Sequence, residues 1–158
     1  MSQPDFTTMF FEHFGGKKRK VKYELREGTP HFLHDIAFMS SLLHDSIFDK
    51  SKITKRGNKF TFHIERDCWE IPYGDSHLHS TESKLTFTNA EIVEWSFTNN
   101  PEIKEDELMT DYIYVSENFR SHKNDYYHFI IGGDDWKCTL KLIKYDSRIY
   151  LVDKAIPK

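Results

Sequence analysis

Among nine histidines in the chain, His77 and His79 stand two apart in a polar loop that runs from Asp75 to Glu82. Residues two apart on an extended segment share a side, so two imidazoles can grip one ion with a carboxylate beside them. The surrounding spacing fits no familiar site, because Gly74 is only three positions before His77 and Glu82 only three after His79. His77 and His79 are thus weak metal candidates. The expectation is a loop that holds no metal, in a protein without a cofactor.

Other reactive residue types are present without the partners that chemistry needs. Cys68 invites a Cys-His nucleophile, but its position between a strand and Trp69 predicts a buried, inert thiol. No Gly-x-Ser-x-Gly elbow, phosphate-binding loop or dinucleotide fingerprint occurs, and Gly132-Gly133 reads as a turn. Arg66, Asp67, Trp69 and Glu70 cluster where a strand ends, a pattern that serves structure more often than recognition. The expectation leans away from an enzyme.

Charge offers a more definite chemistry. The formal net charge is −3, yet residues 1–66 carry +4 and residues 67–158 carry −7. Within the acidic part, Pro101–Asp111 holds Glu102, Glu105, Asp106, Glu107 and Asp111 against one Lys, with Ile103, Leu108 and Met109 between them. Apolar residues inside an acidic ring suit a docking surface, the charges supplying steering and partner choice. These five carboxylates are the candidate partner-binding residues, and a basic protein is the implied partner. At the other end Lys17, Lys18, Arg19, Lys20 and Lys22 match the crude pattern of a nucleic-acid patch. A strand with a Lys-rich outer face explains the same letters, so no nucleic-acid partner is expected.

These residues need elements to place them. Asp5–Phe14 reads as a short helix closed by Gly15-Gly16, and Lys20–Arg26 as a strand with Val21, Tyr23 and Leu25 on one face. Thr29 and Pro30 open a helix that runs to Leu43, with Phe32, Ile36, Met39 and Leu43 on one stripe. Lys52–Arg66 is a hairpin turning at Gly57-Asn58, its second strand alternating Phe60, Phe62 and Ile64 with Thr61, His63 and Glu65. Helix and hairpin should pack on each other. Tyr73–Ser83 reads as a loop, Leu85–Phe87 and Glu91–Phe97 as strands, and Pro101–Asp111 as a loop or short acidic helix. Tyr112–Val115, a second hairpin of Tyr126–Ile131 and Trp136–Tyr145, and Ile149–Val152 complete the set. The predicted fold is a single α+β domain: a mostly antiparallel sheet covered by one or two N-terminal helices.

Composition agrees. Aromatics make up 15% of 158 residues, enough to fill a core with few aliphatics. No apolar run is long enough to span a bilayer, so no membrane role is expected. Two cysteines make no disulfide framework, and the start of the chain lacks the pattern of a signal peptide. The expected compartment is the cytoplasm.

His34-Asp35 and His44-Asp45 look like the paired ligands of HD-type metal phosphohydrolases. Those enzymes are almost wholly helical, which the strand-rich reading here rules out. Leu43-His44-Asp45-Ser46, followed by the hairpin and Leu85-Thr86-Phe87, resembles small bacterial β-rich domains of unknown function with a Leu-His-Asp signature. Some of these look like immunity proteins from polymorphic-toxin loci. The resemblance implies a cytoplasmic, single-domain binding protein without a cofactor. With the acidic C-terminal two-thirds, the leading reading is an immunity-like inhibitor that masks a basic protein partner. The alternative is a small-ligand-binding or metal-assisted enzyme domain that uses the aromatic interior and the His77/His79 loop.

Overall fold

The computed structural model describes residues 22–25, 32–67, 80–116 and 123–154. The expected Asp5–Phe14 helix, the cations Lys17, Lys18, Arg19 and Lys20, Cys68, and the pair His77 and His79 lie outside the described residues.

Among the described residues, one helix and ten strands follow in the order β1 (Lys22–Leu25), α1 (Phe32–Leu43), β2 (Ile47–Arg56), β3 (Lys59–Asp67), β4 (Ser80–Phe87), β5 (Ala90–Phe97), β6 (Leu108–Met109), β7 (Tyr112–Val115), β8 (Tyr126–Gly132), β9 (Trp136–Ile143) and β10 (Ile149–Asp153). They form two antiparallel sheets, a six-stranded one ordered β1-β10-β4-β3-β2-β6 and a four-stranded one ordered β5-β9-β8-β7. The α+β class is as the periodicities predict. The strands divide between two facing sheets because both carry an apolar face, and each covers the other.

Alternation decides which side chains meet. Phe60, Phe62 and Ile64 of β3 and Leu85 and Phe87 of β4 point inward and are buried. Tyr127, Phe129 and Ile131 of β8 and Trp136, Cys138, Leu140 and Leu142 of β9 answer from the other sheet. Rings join the layers: Phe87 meets Phe129 edge-on at 5.1 Å between centroids, and Phe48 meets Trp136 at 5.7 Å. One hydrophobic cluster runs through both sheets and the helix.

The helix buries Phe32, Ile36, Met39, Leu42 and Leu43, the stripe its spacing predicts. Its main neighbour is β7, with lesser contact to β3 and β1. Ser40 explains part of this preference, since its hydroxyl oxygen accepts the Ile113 N–H at 3.1 Å and so satisfies an edge-strand donor. No described helix is long and apolar enough to cross a membrane.

Two stretches outside the expected strands are strand. β2 begins at Ile47 rather than Lys52, and its pairing with β3 slips between Phe48 and Ile53. The slip has a local cause: Asp49 Oδ1 accepts both the Ser51 N–H at 2.9 Å and the Ser51 hydroxyl at 2.5 Å, bending the strand outward. Ser80–Ser83, assigned to a loop from sequence, is the start of β4 and pairs with Ile64–Asp67. Pro101–Asp111 is mostly turns, ending in the two-residue strand β6.

Candidate functional site

The outer face of the six-stranded sheet is where polar side chains converge. Register places them in rows. Glu65 on β3 stands opposite Glu82 on β4 and, on the other side, opposite Ile47 on β2, which in turn stands opposite Met109 on β6. The next row holds His63 opposite Lys84, and Lys84 opposite Val152. A trough of about 800 Å³ runs over these rows, bounded by the outward bend of β2 at Asp49 and Lys52 and by Asp106 from the acidic segment.

The trough has a polarity. Toward β2 and β6 lie Asp49, Glu65 and Asp106, beside the exposed pair Ile47 (36% accessible) and Met109 (52%). Toward β4 and β10 lie Lys84 and Lys154, with Val152 between the strands' polar groups. Four of the charges are already matched in two pairs: Lys154 meets Glu82 at 3.3 Å and Lys52 meets Asp49 at 3.9 Å. The Ser51 hydrogen bond holds the Asp49 carboxyl below its ordinary range, with Lys52 adding a smaller pull. Glu65, Asp106 and Lys84 form no ion pair with any described residue.

The five expected partner-binding carboxylates do not act as one group. Asp106 lines the trough. Glu105 faces Lys50 at 3.4 Å, and its carbonyl oxygen accepts the Lys50 N–H at 2.9 Å. Lys50 in turn caps the stacked rings of Trp95 and Phe97, its ammonium 5.2 and 5.1 Å from their centroids. Glu107 approaches Lys104 at 3.9 Å, and the Glu102 N–H donates to Asn100 Oδ1 at 3.0 Å. Asp111 is absent from the trough lining and lies beside His44 and Asp45 at the end of α1.

Sequence reasoning missed His63, Glu65 and Lys84, although alternation in β3 had marked the first two as outward. Their meeting depends on cross-strand register, which letters alone do not carry. It also missed Ile47, because β2 was read as starting later.

The thiol of Cys138 is buried in the core, and burial pushes it up to about 12, against a smaller opposing pull from the Lys50 charge. Such a thiol is no nucleophile. The trough offers charge, carboxylates without an ion pair among the described residues, and the exposed Ile47, with Met109 opposite it on β6 at the rim, a set for recognition. No protein-family model, curated protein or solved structure matches the chain.

Proposed function

We propose that this is a non-catalytic binding protein of the cytoplasm, whose trough receives a basic segment of a protein partner in the manner of an immunity protein. The observation that carries the reading is the exposed Ile47–Met109 pair set among Asp49, Glu65 and Asp106. The apolar pair gives a partner area to bury, and Glu65 and Asp106, which form no ion pair with any described residue, select a cationic one. The Leu43-His44-Asp45-Ser46 resemblance supports an immunity-like role. A free, buried Cys138 suits a reducing compartment.

The volume also lies in the usual range for small-molecule sites, which favours a second reading as a ligand-binding domain. The lining argues against it. Small-molecule pockets are mainly apolar, whereas of fourteen lining residues only Ile47, Ile64 and Val152 are aliphatic.

A panel of extended Lys/Arg-containing peptides, with aliphatic residues flanking the cations, tests the proposal by fluorescence anisotropy. Binding should weaken as salt rises and should be lost when Glu65 and Asp106 are both changed to Ser. Failure of every peptide, or binding indifferent to both changes, overturns the assignment of the trough.

A further inference from the structure

The turn after α1 brings the chain against the segment that leads into β7, and reciprocal backbone bonds clamp the two. The Asp45 N–H donates to Thr110 O at 2.8 Å, and the Thr110 N–H donates to Ser46 O at 2.9 Å. The next residue, Asp111, is fixed by its own N–H to Gly132 O at 2.9 Å. Three parts of the fold thus hold two short side chains and an imidazole in one place. One ligand atom from each of His44, Asp45 and Asp111 lies within 4.8 Å of the others, and His44 Nδ1 is 3.3 Å from Asp45 Oδ2.

The Asp111 carboxylate is half-buried, yet it has no hydrogen bond or ion pair with any described residue. It packs beside Gly133, where an added Cβ would lie 3.4 Å from Asp111 Oδ2. Two carboxylates this close repel unless a cation lies between them, and His44 is the only nearby group in the cluster able to carry positive charge.

We infer that His44, Asp45 and Asp111 form a binding site for a divalent transition-metal cation of the zinc class, held by one imidazole nitrogen and two carboxylate oxygens. Imidazole selects against magnesium and calcium, while the carboxylates neutralise the charge, and water completes the tetrahedron. The His44 and Asp45 side chains are 56% and 57% exposed, so the ion exchanges with solvent. Because the donors come from the end of α1 and from the approach to β7, the loaded ion fastens the helix to its main neighbour. This site is independent of the trough.

Zinc chloride titrated into protein made without an affinity tag and stripped by chelator tests this, read by calorimetry and by thermal melting. The same titration in a His77→Ala/His79→Ala background removes the loop histidines as an alternative source of binding. A single equivalent should bind in both backgrounds and raise Tm. Asp45→Asn and Asp111→Asn should each weaken binding roughly tenfold or more, while leaving the metal-free Tm near that of the parent. Asn suits position 45 because Asp45 sits at φ 64°, a left-handed conformation that Asn tolerates. No Tm rise in the His77→Ala/His79→Ala background overturns the site, as does zinc binding unaffected by Asp45→Asn and Asp111→Asn.

Discussion

Arg66 and Asp153, 87 positions apart in the chain, form a two-point ion pair with neither side chain accessible to solvent. Arg66 Nε donates to Asp153 Oδ1 at 2.8 Å and Nη2 donates to Oδ2 at 2.5 Å. The Ser83 hydroxyl donates to the same Oδ1 at 2.6 Å, and the Tyr23 ring lies 5.7 Å from the guanidinium carbon. Arg66, Ser83 and Asp153 sit on β3, β4 and β10, so the pair ties three strands together beneath the trough.

Breaking this pair from one side should cost more than removing it whole. Asp153→Ala strands a buried guanidinium and should cost about 3–5 kcal/mol in urea unfolding. Arg66→Met combined with Asp153→Leu should recover most of that loss. A double variant no better than Asp153→Ala would show that the pair stabilises through its charges.

The second expectation concerns the core. Phe62 is buried to 1% accessibility, with Phe48 at 6.0 Å and Phe87 at 5.5 Å between ring centroids. Phe62→Ala removes a ring that both neighbours lean on, and should cost about 3–5 kcal/mol. A loss within experimental error in denaturant would contradict the ring-to-ring packing on the inner face of the six-stranded sheet.

Thr110 gives an expectation of opposite sign. It is fully buried, and its hydroxyl has no hydrogen-bond partner among the described residues. Val has nearly the same shape and no polar atom to desolvate, so Thr110→Val should leave stability unchanged or raise it by about 1–3 kcal/mol. A clear drop in Tm would mean that the hydroxyl is hydrogen-bonded in solution.

Cys138 provides a pH dependence. Its folded value of about 12 exceeds the ordinary 9.0, so the unfolded chain releases this proton first as pH rises. Its contribution is complete below pH 9.0 and declines between there and about 12, with a slope approaching about 1.4 kcal/mol per pH unit. Comparing the parent with Cys138→Ala isolates it: the gap between them should narrow over that window. In the native state the thiol should also resist iodoacetamide at pH 8, and reaction at the rate of a free thiol would refute its burial.

How much of this could be read from letters follows range in the chain. The Phe32-Ile36-Met39-Leu43 stripe and the Phe60-Phe62-Ile64 alternation were legible, because helix and strand periods are local. The five carboxylates of Pro101–Asp111 were legible as charge, but their division among the trough, Lys50, Lys104 and the His44 corner was not. That division depends on where the turn residues of a long connection come to rest. Arg66 was read with its sequence neighbours Asp67, Trp69 and Glu70 in a cluster at a strand exit, whereas its buried partner Asp153 comes from the last strand. The start of β2 was missed because the hairpin was read from Lys52, and the slip in pairing between Phe48 and Ile53 breaks the alternation that would have carried the strand back to Ile47.

The single hydrogen bond from Ile113 to Ser40 also bears on how this protein fails. With α1 in place, the outer rim of β7 meets a helix instead of a second molecule. If the helix lifts away during heating or synthesis, that rim becomes a template on which another copy can add a strand, with Tyr114 already exposed beside it. Partial opening at one helix would then lead to intermolecular assembly before the rest of the fold is lost, so the hydroxyl of one serine helps keep the molecules apart.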